Sequence, residues 1–166
     1  MSTNIDKLIE EKDVFDKVFL LYGEEKYLKN TYINRIKKCF GELMKGLNYI
    51  VLDDTSIHNL IQEATTPAFG YENKLIVVNN SKLFKINRKK SSSESTENDD
   101  EEQEVQSSSN SYENDIIEFL ASNNIANTTI IFNETDVAKN KKIYKTLDKV
   151  GHIKEFKILK DKEIIP

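Results

Sequence analysis

Val18-Phe-Leu-Leu-Tyr22 is an unbroken apolar run closed by Gly23, the pattern of a strand covered on both faces in a parallel sheet. Behind it Ile33, Ile36, Phe40 and Leu43 recur at steps of three and four, which predicts a long helix with Gly46 as its stop. Asn48-Tyr-Ile-Val-Leu-Asp53 predicts a second strand, and Ser56, with Ile57, Leu60, Ile61 and Ala64 after it, an N-capped helix. Further strands are predicted at Lys74-Leu-Ile-Val-Val-Asn79, Thr128-Thr-Ile-Ile-Phe-Asn133 and His152-Ile-Lys-Glu-Phe156, with helices centred on 116–120 and 143–147. Strand and helix thus alternate, and crossover connections of this kind build a mostly parallel sheet covered on both sides. No internal repeat interrupts the order.

In such a fold ligands sit at the carboxyl ends of the strands. The first of those turns, Gly23-Glu-Glu-Lys-Tyr-Leu28-Lys29-Asn30, lies where a phosphate-binding loop, G-x-x-x-x-G-K-[ST], would lie, and it keeps the first glycine and the lysine. Leu28 replaces the second glycine, whose lack of a side chain lets backbone N–H groups curl round phosphates, and Asn30 replaces the hydroxyl that ligates magnesium. Glu24 and Glu25 would face the incoming anion. A later strand of a P-loop ATPase ends in a magnesium-holding carboxylate, but here Leu75-Ile-Val-Val78 runs into the neutral amides Asn79 and Asn80. Asp53 and Asp54 end a strand, either as a metal-binding pair or as caps for the next helix. His58, His152 and Cys39 have neither zinc-ligand spacing nor a nucleophile and base arrangement, so no metal and no catalytic group is expected.

At 166 residues the chain has the length of one domain, and with 38% hydrophobic and 31% charged residues its composition is ordinary for a globular one. No apolar run approaches the roughly 20 residues of a membrane span. Cys39 has no internal partner for a disulfide, and the N-terminus lacks a charged stretch ahead of an apolar block, so the expected location is cytoplasmic. The net charge of −4 is unevenly spread: residues 91–114 carry −8 with no Lys or Arg, leaving +4 for the rest. That segment offers only Val105 and Tyr112 as large apolar groups, too little burial to offset the entropy of ordering it, and predicts a disordered acidic insertion at about 88–113. An excess of +4 does not by itself argue for nucleic-acid binding.

Four segments in order carry a family resemblance: Val18 to Leu28, Glu63-Ala-Thr-Thr-Pro-Ala-Phe-Gly-Tyr-Glu-Asn-Lys-Leu-Ile-Val-Val78, Thr129 to Phe132, and Asn140-Lys-Lys-Ile-Tyr-Lys-Thr-Leu147. Together they resemble the N-terminal domain of bacterial DNA polymerase III delta subunits, over nearly the whole chain apart from the acidic insertion. The resemblance implies an α/β, P-loop-NTPase-like (AAA+ type) three-layer fold. It implies a five-stranded parallel sheet in the order 5-1-4-3-2 and a degenerate nucleotide site that uses no ATP and no other cofactor. The implied domain organisation is a single AAA+-like domain over 1–166, without the lid and collar domains of delta subunits.

By the same resemblance the chain would bind the sliding clamp (the beta subunit) and help open the ring for loading onto primed DNA. It would meet other clamp-loader subunits through regions outside this chain, meet DNA only indirectly, and touch no membrane. No catalytic activity is implied for the domain itself, although full delta subunits belong to a DNA-directed DNA polymerase holoenzyme. Relatives insert apolar side chains near a Pro-Phe turn into a pocket on the clamp, which corresponds here to Pro67, Ala68, Phe69 and Tyr71, with Ala68 smaller than usual. The residues alone leave Phe69 either displayed on the turn, because Pro67 discourages helix at Thr66 and Gly70 frees the exit, or covering the adjacent core. An active P-loop NTPase or kinase and a purely structural loader scaffold are the alternative functions.

Overall fold

The computed structural model describes residues 5–68, 70–84, 113–122 and 127–157. Its elements are α1 (Ile5–Glu10), β1 (Val18–Gly23), α2 (Lys26–Cys39), β2 (Tyr49–Leu52), α3 (Leu60–Thr65), β3 (Lys74–Asn79), α4 (113–122), β4 (Thr128–Glu134), α5 (Lys142–Val150) and β5 (His152–Phe156). The five strands form one sheet in the order β2-β3-β4-β1-β5, which is 5-1-4-3-2 from the other edge, and every pairing is parallel. The expected fold class is therefore observed. No helix among the described residues is long and apolar enough to cross a membrane.

The alternation of side chains along each strand divides the core into two layers. Val18, Leu20 and Tyr22 of β1 pack with Ile76, Val78, Ile130 and Phe132 against Leu60 and Ala64 of α3, Ile116 and Leu120 of α4, and Ile143 and Leu147 of α5. Phe19 and Leu21 turn the other way, with Leu75, Val77 and Ile131, against Ile33 and Ile36 of α2 and Ile5, Leu8 and Ile9 of α1. Three layers follow, and the continuous apolar runs are the direct consequence of burial on both faces.

Three local expectations need correction. Helix α2 ends at Cys39, because Gly41 takes φ +75° in the left-handed region where helices stop; Phe40 and Leu43 still pack beneath the sheet, but from the loop. Ser56 does not cap a helix with its side chain; its hydroxyl donates to Asp53 Oδ1 at 3.3 Å and accepts from Asp53 N–H at 3.0 Å, ahead of a 3-10 turn at Ile57–Asn59 that leads into α3. Glu113, the last residue of the expected insertion, is helical and pairs with Lys141 at 3.2 Å; residues 88–112 lie outside the described residues.

Gly23 closes β1 in register with Phe156 of β5, at φ +130°. A Cβ there would sit 1.9 Å from the Phe156 carbonyl oxygen, so a side chain collides with backbone that cannot swing aside. The first glycine of the phosphate-loop pattern is thus required by strand packing. Gly23→Ala is expected to lower stability by about 2–4 kcal/mol in urea denaturation. A loss below about 0.5 kcal/mol would mean that the end of β5 yields.

Candidate functional site

Lys29, Asn30, Asn79 and Asn80 converge at the carboxyl ends of the strands, where they line a cleft of about 230 Å³ with Lys26, Asn133 and Thr135. Gly23 and Leu28 do not join them: Gly23 lines a separate hollow of about 330 Å³ beside the ends of β1, β4 and β5, and Leu28 is exposed on the first turn of α2. The phosphate-loop spacing is present, but its parts do not surround one point.

Lys29 sits inside the protein, 4% exposed, and its ammonium donates to the main-chain carbonyl of Glu134 at 2.7 Å. Burial holds this ammonium below the ordinary lysine range, a shift that the Glu134 carboxylate opposes and Lys26 reinforces. The Glu134 carboxylate is itself buried and accepts from the Ser81 N–H at 3.1 Å and the Ser81 hydroxyl at 2.7 Å, joining the end of β4 to the chain leaving β3. Asn79 Oδ1 accepts from Asn133 Nδ2 at 2.8 Å, and Asn80 Oδ1 accepts from the Thr135 hydroxyl at 3.3 Å. The amides in the place of the magnesium-binding acid are thus bonded to Asn133 of β4 and to Thr135 just beyond it. Sequence reasoning missed Glu134 and Asn133; the one available signal was their position at the end of the Thr128–Phe132 run.

The other candidate groups have structural partners. Asp53 accepts from the Thr55 hydroxyl at 2.7 Å, the Thr55 N–H at 2.9 Å and the Ser56 hydroxyl, bonds that lower its pKa, while Asp54 pairs with Lys82 at 3.0 Å. Among the described residues no group of three or more His, Cys, Asp or Glu is placed to hold a metal ion. His58 is exposed, and His152 packs beside the Phe19 ring at 5.5 Å.

The second candidate site lies at the opposite, amino ends of β3 and β4. Phe69 lies outside the described residues. Of its neighbours, Pro67 is exposed and Ala68 and Tyr71 are half-buried. Ala68 and Tyr71 are bridged by a Tyr71 N–H to Ala68 carbonyl bond of 3.0 Å, with Gly70 at φ +90°. Pro67, Ala68 and Tyr71 line a cleft of about 240 Å³ with Thr65, Thr66, Asn127 and Thr128. Helix α3 delivers the chain to this turn, and its last carbonyls are satisfied by side chains: Gln62 by the Thr66 hydroxyl at 2.7 Å, Glu63 by Lys74 Nζ at 2.6 Å, and Ala64 by the Thr128 hydroxyl at 3.2 Å.

The family model for DNA polymerase III, delta subunit, matches residues 19–157, which takes in the sheet except the first residue of β1, and both candidate sites. The chain belongs to the DNA polymerase III delta-subunit family. Among solved structures it is similar to the Bacillus subtilis DNA clamp loader delta protein, with 24% identity and a TM-score of 0.71 over 96% of this chain and 43% of that one. A DNA polymerase III gamma subunit-related protein from Thermotoga maritima shares 8% identity at a TM-score of 0.56 over 96% of this chain and 47% of that one. Both likenesses concern the fold, and the chain spans less than half the length of either structure. No curated protein matches it. The fold is thus shared with both structures, and in this member of the delta family Lys29, at the phosphate-loop spacing, is a buried strut.

Replacing that strut tests its role. Lys29→Met keeps the stem length but leaves the Glu134 carbonyl without its charged donor, and is expected to cost about 1–3 kcal/mol in urea denaturation. Wild-type stability would show that Lys29 carries no structural bond of consequence.

Proposed function

We propose that this chain is the clamp-gripping part of a delta subunit, with residues 65–71 as its contact, and that it helps open the ring for loading onto primed DNA without hydrolysing ATP itself. The observation that carries the reading is the family match over 19–157, which includes that segment. In this reading residues 1–166 form a single AAA+-like domain with an acidic insertion. Pro67, Ala68, Phe69 and Tyr71 meet the sliding clamp, and other loader subunits are met through parts of the protein beyond this chain.

Physical arguments support both halves. An aromatic side chain buried in a partner's pocket is worth about 1.5–3 kcal/mol, which suits an anchor within a larger interface. A ring opens only to the extent that its partner binds the open form more tightly than the closed one. As for nucleotide, Lys29 is engaged with Glu134, Leu28 stands where backbone must approach phosphate, and Asn79 and Asn80 offer no carboxylate to magnesium. ATP then acts on other subunits of the loader.

Phe69→Ala is expected to weaken binding of the purified sliding clamp about tenfold or more in an equilibrium titration. Unchanged affinity in a folded variant removes the turn from the interface, and no capture of the clamp by the wild-type chain favours a scaffold. Millimolar ATP with magnesium is expected to leave the thermal transition of the chain unmoved. A concentration-dependent rise would favour an active nucleotide site.

A further inference from the structure

We propose that Lys74 is a positioning residue for clamp binding: its buried ammonium fixes the start of the 65–71 turn in its binding-competent shape. The inference rests on the proposed clamp contact. Lys74 opens β3, in register with Thr128, and its backbone N–H donates to the Asn127 carbonyl at 2.9 Å, so its main chain belongs to the sheet. By strand alternation its side chain lies on the face of Ile76 and Val78, the face that α3 covers, where an apolar residue would be the default. It is instead a lysine, 3% exposed.

Its ammonium makes two hydrogen bonds and one ion pair. Nζ donates to the Glu63 carbonyl at 2.6 Å and to the Thr66 carbonyl at 3.1 Å, and lies 3.5 Å from a Glu63 carboxylate oxygen. Glu63 belongs to the last turn of α3, whereas Thr66 has left the helix with ψ 128°. One cation therefore holds both the helix end, where a positive charge suits the dipole, and the peptide that precedes Pro67. Pro67 restricts its own φ, and the Tyr71 to Ala68 bond closes the far side. Holding the Thr66 carbonyl ahead of Pro67 limits the directions in which the chain can leave α3, and a contact whose approach is set in advance binds with less ordering.

A residue that acts through the turn has a signature that simple destabilisation lacks. If Lys74 sets the fraction of molecules with the turn in its competent shape, the apparent dissociation constant rises by the inverse of that fraction when it is removed. The effect must also vanish once the anchor itself is gone. The test is a titration of purified sliding clamp against the wild-type chain, Phe69→Ala, Lys74→Met and the double variant, well below each thermal transition. Lys74→Met is expected to bind about fivefold or more weakly, and the double variant scarcely more weakly than Phe69→Ala alone. Affinity of Lys74→Met within about twofold of wild type, or losses that add in full, would overturn the proposal.

Should Phe69→Ala bind like wild type, the clamp reading of the turn fails, and Lys74 is judged by amide exchange. The Tyr71 amide is expected to exchange faster in Lys74→Met while the Leu75 to Val77 amides hold; equal protection at Tyr71 rejects the positioning role. If Lys74→Met does not fold, Lys74→Gln, a shorter neutral side chain, carries the same comparisons with the same outcomes.

Discussion

Burial of a parallel sheet on both faces is the constraint from which the rest of the molecule follows. Phe19, Leu20 and Leu21 of β1 and Ile130, Ile131 and Phe132 of β4 are all fully buried, so neither face of these inner strands can be left to water. Helices α1 and α2 must close one side, and α3, α4 and α5 the other. With both faces closed, the surfaces open to function are the two ends of the strands and the connections there. The two candidate sites occupy those opposite ends, separated by the length of a rigid sheet.

At each end a buried lysine meets main-chain carbonyls. Lys29 reaches the carbonyl at the end of β4, and Lys74 reaches those at the end of α3. A buried ammonium is costly to desolvate, and its partners offset that cost only when the geometry is held. Such a group therefore contributes more to fixing one arrangement than to raising stability. At the carboxyl end the fixed arrangement ties the first turn of α2 to the last residue of β4. At the amino end it ties the last turn of α3 to the peptide that precedes Pro67. The same chemistry thus joins a helix to its neighbouring chain at both ends of the sheet.

The fold was legible because burial on both faces writes the three inner strands into the chain as apolar runs, and with two shorter edge strands and helical spacing between them few topologies remain. What stayed hidden depends on contacts remote in sequence. Lys29 could be found from its spacing to Gly23, but its carbonyl partner lies 105 positions away, and no local pattern announces it. Gly23 fitted a phosphate loop, yet the reason for a glycine is the backbone of Phe156 beside it. Helix α1 was passed over although Ile5, Leu8 and Ile9 share a helical face, because a helix of 6 residues has little propensity of its own and forms by packing on α2. Asp6 reinforces that contact by accepting from the Tyr32 hydroxyl at 2.7 Å and Arg35 at 3.1 Å.

Lys74 shows why composition and polarity patterns understate such residues. A lysine at the start of a strand is ordinarily read as a solvated edge, and only the strand's alternation places this one against α3. Neutral side chains could satisfy one carbonyl each, as the Thr66 and Thr128 hydroxyls do for Gln62 and Ala64. Joining Glu63 and Thr66, which stand on either side of the helix terminus, takes several donors on one atom at the end of a long stem, and among the side chains that description fits lysine. The choice of a charged residue in the core is therefore explained by the geometry of the junction it spans: a short helix ends there, and the chain must leave in a set direction.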